Sequence, residues 1–172
     1  MSNVISESGM DFIADNTFYI EESTLFKNIG DGIKSVEFIR VIDDKLLFVE
    51  AKTTFPNPNN PSIDNYQKFL SEANDICEKF IHSLNILASV KVCTTEEVFP
   101  DDFILPEKVI IVFILVIKNH ELKWCKPIKK KIISTLPLYL KKIWKPEIYV
   151  INKNMAIKYN LIIANSDKEA LT

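Results

Sequence analysis

The run "VIIVFILVI", Val109 to Ile117, constrains this chain more than any other stretch. Nine apolar residues follow one another without a charge. A membrane-spanning helix needs about 20 such residues, so the run is too short to be one. A strand with one wet face alternates apolar and polar side chains, and this run does not alternate. It therefore predicts a central strand buried on both sides. Such a strand needs other layers packed over it, which points to an α/β architecture.

The flanking segments supply those layers. From Ser62 to Val90, apolar side chains recur at steps of three and four, among them Phe69, Ala73, Ile76, Phe80, Leu84 and Leu87. That period predicts a long helix, and Ser62 is placed to cap it. "KPIKKKIISTLPLYLKKIW" predicts a second helix with Ile128, Ile132 and Leu136 on its buried stripe, interrupted at Pro137. "EIYVI" predicts a last strand, and "NKNMAIKYNLI" a closing helix capped by Asn152. Upstream, "TFYIEE" predicts a short strand and "STLFKN" a helical turn capped by Ser23. The expected fold is α/β: a central mixed sheet with a β-hairpin and long helices on both faces. At 172 residues, 47% hydrophobic and 26% charged, the chain reads as one folded domain over 1–172. Its core would span 16–118, with a basic helix, strand and closing helix over 119–165.

The hairpin is where chemistry enters. "IKSVEFIRVI" (33–42) and "KLLFVEAKTT" (45–54) flank Asp43-Asp44. A two-residue turn there pairs Ile42 with Lys45 and sets every partner sum at 87. Glu37 then faces Glu50, and Lys52 lies two residues along on the same face. Two carboxylates opposed in a drying environment repel, which invites a raised pKa or a divalent cation. The plainer alternative is a solvated sheet margin, with Lys52 offsetting the acids. A turn one residue longer would break the pairing.

An acid on one strand, a hairpin, then E-x-K on the next strand resembles the PD-(D/E)xK nuclease superfamily. The "VEAK" stretch carries that resemblance, together with the order of strands and helices over residues 17–118. The resemblance implies a restriction-endonuclease-like core and a metal-dependent nuclease. It implies Glu37 and Glu50 as metal ligands, the Ala51 carbonyl as a further one, and Lys52 as the catalytic lysine. The cofactor would be Mg²⁺ or Mn²⁺. Asp31 is an alternative to Glu37 as first acid, and Glu7 or Glu21 could add another. The family's "PD" dipeptide is absent at the first acid, and the following helix lacks Q-x-x-x-Y.

Other motifs exclude more than they propose. Three glycines leave no glycine-rich phosphate loop. Cys77, Cys93 and Cys125 form no CxxC, and His82 and His120 stand at no zinc-ligand spacing. Both histidines read as structural. The N-terminal residues carry no signal-peptide pattern, so a cytoplasmic protein with no membrane partner is expected. The net charge of −2 conceals eleven lysines against two glutamates between Lys118 and Lys158. Lys126, Lys129, Lys130 and Lys131 are candidates to guide nucleic acid, and a solvated helix face is the bland alternative. A non-catalytic α/β module acting through a protein partner, or a homodimer, is the competing reading. Trp124 and Trp144 are candidate anchors for such a partner.

Overall fold

The computed structural model describes residues 4–164. A five-stranded mixed sheet has the order β3-β4-β5-β6-β7, where β3 is Thr17–Phe18, β4 Phe38–Ile42, β5 Lys45–Lys52, β6 Ile110–Ile117 and β7 Glu147–Asn152. The apolar run is β6, flanked by parallel partners β5 and β7. Its side chains alternate between two cores. Ile111, Phe113, Leu115 and Ile117 enter one, while Val112, Ile114 and Val116 enter the other.

The first core is covered by α2 (Ile63–Lys91) and α3 (Leu122–Thr135). Both long helices therefore lie on the same face, and the expectation of long helices on both faces is corrected. The reason is topological. The chain steps β5, β6, β7 in one direction, and two right-handed parallel crossovers taken in the same direction place both helices on one side. The second face is covered by a small hairpin, β1 (Val4–Glu7) with β2 (Met10–Ile13), and by the short helix α4 (Lys153–Lys158). Phe12 and Met10 of the hairpin are buried against Phe38, Val49 and Val116 of the sheet. Ser8, at φ 51°, and Gly9, at φ 68°, make the turn between β1 and β2. A four-residue strand on either side of that turn is too short for its alternation to stand out, and the sequence reading passed over it.

Several local signals act as expected. Ser23 Oγ accepts from Phe26 N at the start of α1 (Thr24–Ile29), Ser62 Oγ from Asn65 N at α2, and Asn152 Oδ1 from Met155 N at α4. The basic helix starts earlier than expected, at Leu122. It ends before Pro137, and a single π-type turn follows at Leu140–Trp144. "TFYIEE" is strand only at Thr17–Phe18; Ile20–Glu22 is a 3₁₀ turn. Among the described residues no helix is long and apolar enough to cross a membrane. Cys77 and Cys125 are buried and Cys93 is exposed, all as free thiols.

Candidate carboxylate site

The hairpin register is the one that a two-residue turn dictates. Ile42 pairs with Lys45, Val41 with Leu46, and Phe38 with Val49, with Asp43 in the left-handed region at φ 54°. The ladder ends at Phe38, five residues short of the expected strand start at Ile33. Residues 34–36 leave the sheet because α2 side chains take their backbone. Val36 N donates to Ser83 Oγ at 2.8 Å, and Lys34 N donates to His82 Nδ1 at 3.1 Å. His82 is thereby a structural acceptor. Glu37 sits at the boundary, one residue beyond the last paired one.

Glu37 is 8% exposed and Glu50 is fully buried. Burial, and then the neighbouring Glu50 carboxylate, push the Glu37 carboxyl up to about 8. Burial raises Glu50 to about 7, against the opposing pull of Lys79 and Lys52. The two acids thus lie within electrostatic reach of each other, although Glu37 stands outside the paired ladder and the expected Glu37–Glu50 pair is not formed. Asp31 is exposed in the turn before them, and Glu37 is the better placed of the two.

The structure adds groups around this pair. Lys79, from the middle of α2, places Nζ 2.8 Å from Glu50 Oε1. Burial works against the Lys79 charge, but Glu50, Glu37 and Glu21 together hold its pKa above the ordinary value. The second Glu50 oxygen, Oε2, is buried without a partner. Glu21, on the 3₁₀ turn, is raised chiefly by burial and shares a hydrogen bond with Glu37. Glu7, at the end of β1, accepts a hydrogen bond from the Tyr19 hydroxyl, whose own pKa is raised by burial and by that bond. Lys52 lies at the rim with its side chain 26% exposed and its Nζ 3.2 Å from Glu72 Oε2. The Ala51 carbonyl points to the β1–β2 turn and accepts from Ser8 Oγ at 3.1 Å.

The sequence reading missed Lys79 and Glu72. Both flank the apolar stripe of α2, and seven residues, two helical turns, separate them. A charged pair at that spacing beside a buried stripe was the available signal. It became meaningful only when α2 was laid across β5.

The cluster lies at the carboxyl ends of the parallel strands β5 and β6, where open α/β sheets characteristically hold their ligands. The candidate nucleic-acid lysines are all on α3, which packs over β7, two strands away from β5. Lys126 and Lys130 are exposed; Lys129 and Lys131 are partly buried. Lys129 Nζ lies 5.1 Å from the Tyr149 ring centre. Among the described residues, no three His, Cys, Asp or Glu side chains stand together at metal-holding spacing. A cation here would rest on two carboxylates, with water and substrate oxygens completing its shell, the arrangement that magnesium accepts. The buried, unpartnered Glu50 Oε2 fits such a role.

Compared with family models, curated proteins and solved structures, the chain matches none.

The raised carboxyls predict an unusual stability profile. Glu37 and Glu50 keep their protons in the native state at pH values where the unfolded chain, near 4.5, has released them. The native state then binds more protons, so stability falls as pH rises from about 4.5 through about 8 and levels off above. The expected loss is on the order of 2–4 kcal/mol. Urea unfolding between pH 5 and pH 9 measures it. Glu37→Gln should flatten the profile, and a wild-type curve that rises across this range would refute the assignment.

Proposed function

We propose that the chain is a metal-dependent nuclease of PD-(D/E)xK type, with a restriction-endonuclease-like core and its active site at Glu37, Glu50 and Lys52. The observation that carries this reading is one buried site holding two raised carboxyls, an unpartnered carboxylate oxygen and two lysines, at the carboxyl ends of parallel strands. Carboxylates are costly to bury without compensation, so their convergence here calls for a counter-charge.

Glu37 and Glu50 would hold a Mg²⁺ or Mn²⁺ ion, which when bound supplies Lewis-acid polarisation of a phosphodiester and a more acidic water. The Ala51 carbonyl would join through its second lone pair. Lys79 favours the ionised form of Glu50. Glu21 accepts the hydrogen bond of protonated Glu37 and offers a route for its proton to leave. Lys52, partly exposed beside Glu72, would orient a water or balance charge developing on phosphate oxygens. Lys126, Lys129, Lys130 and Lys131 would track the strand beyond the site.

One observation favours the competing reading, a non-catalytic module. The Lys79 ammonium already neutralises Glu50 without any cation. The experiment pairs Mn²⁺ titration calorimetry with cleavage of labelled single- and double-stranded DNA and RNA. The nuclease reading expects cation binding and chelator-sensitive cleavage that drops by roughly 100-fold or more in Lys52→Ala and in Glu50→Gln. Absence of both cation binding and cleavage on all four substrates would leave the binding module.

A further inference from the structure

The end of the sheet opposite the carboxylates has a different character. Half of the exposed large apolar side chains among the described residues fall in two connections that lead to that end, 92–110 and 138–144. The first joins α2 to the start of β6, and the second joins α3 to the start of β7. Val98 is 76% exposed and Ile104 69% in the first; Leu138 is 67% and Ile143 71% in the second, with Tyr139 and Trp144 beside them. Apolar side chains gathered at one end mark an interaction surface.

The charges on the two segments are opposite. The first carries Glu96, Glu97, Asp101, Asp102 and Glu107 against Lys108 alone. The second carries Lys141, Lys142 and Lys145, and 122–146 as a whole has eight lysines and no acid. Their positions are lateral opposites. The acidic loop packs against β3 at one sheet edge, with Phe99 and Phe103 on Phe18 at 5.4 and 5.9 Å. The basic segment leads into β7 at the other edge. Four strand spacings, about 19 Å, separate those edges.

We propose that this end of the sheet is the interface of a homodimer. The basic, apolar segment 138–145 of one copy docks on the acidic, apolar loop 96–107 of a second copy. Two such patches side by side at one end suit a two-fold axis, which makes each contact twice and closes the assembly. Apolar side chains supply the buried area, and the charges select the pairing and the orientation. None of the carboxylate-site residues belongs to either segment, so the proposal is independent of the nuclease reading.

The test is sedimentation equilibrium on the full chain and two charge-reversed variants. Wild type should sediment as a dimer of about 40 kDa, twice the 19.8 kDa chain, and weaken with added salt. Lys141→Glu with Lys142→Glu makes both patches acidic; Glu96→Lys with Asp101→Lys and Asp102→Lys makes both basic. Each variant alone should dimerise roughly 100-fold more weakly, and an equimolar mixture should recover the dimer mass. Circular dichroism confirms that each variant is folded. Leu138→Asp with Ile143→Asp should also give a folded monomer. A wild-type monomer at 100 µM overturns the proposal. So do variants that self-associate as wild type does, a mixture that stays monomeric, or mass that grows past the dimer.

Discussion

Lys79→Met is expected to lower the unfolding free energy by about 3 kcal/mol near pH 8.5 and by clearly less near pH 5.5. Methionine replaces the apolar stem of the lysine but not its charge. Glu50, with its side chain 1% exposed, is then left as a buried anion whose neighbouring acid, Glu37, repels it. At high pH the whole penalty falls on the folded state. At low pH Glu50 takes a proton and the penalty is relieved, because a neutral buried carboxyl costs far less than a charged one. The double variant Glu50→Gln with Lys79→Met removes both charges together, and should recover all but about 1 kcal/mol of the loss. Urea unfolding of wild type, Lys79→Met, Glu50→Gln and the double variant at the two pH values completes the cycle. Equal losses at both pH values, or a double variant no better than the single one, would mean that Lys79 does not offset Glu50.

Phe113→Ala should have the largest effect on stability, about 3–5 kcal/mol. Phe113 is fully buried at the centre of β6. Its ring stacks on Phe80 of α2 with centroids 4.4 Å apart and 3° between the planes, and it meets the edge of Phe48 on β5 at 5.4 Å. One side chain thus joins the hairpin, the central strand and the long helix. Removing it opens a cavity between rigid elements that cannot close, so the transfer loss and the cavity loss add. Val112→Ala, on the opposite face of the same strand, removes less volume and should cost about 1–2 kcal/mol. Thermal and urea unfolding of the two variants would check the ordering, and a smaller loss for Phe113→Ala than for Val112→Ala would contradict this account of the core.

Part of the candidate site is legible in the sequence. The two-residue turn at Asp43-Asp44 was enough to give the pairs from Ile42–Lys45 to Phe38–Val49, since strand pairing is arithmetic once the turn is known; Glu37, one residue beyond them, is near Glu50 but not paired with it. The caps Ser23, Ser62 and Asn152 were legible for a similar reason. A short polar side chain just before a helical run satisfies amide groups within three residues of itself. The extent of β4 was not legible. Residues 34–36 have strand-like composition, but His82 and Ser83 of α2 take two of their amides, and those acceptors are more than 45 residues away.

The sequence alone determined what lies within reach of a local rule: the buried central strand, the hairpin register, the helix starts and the uneven distribution of charge. Tertiary structure alone decided which groups meet across the sheet. It brought Lys79 onto Glu50, set Glu21 and Glu7 beside Glu37, and put both long helices on one face. The physical reason is range. Backbone geometry and side-chain period act over a few residues, whereas a buried charge is compensated by whatever the fold carries to it, and that partner has no fixed distance along the chain.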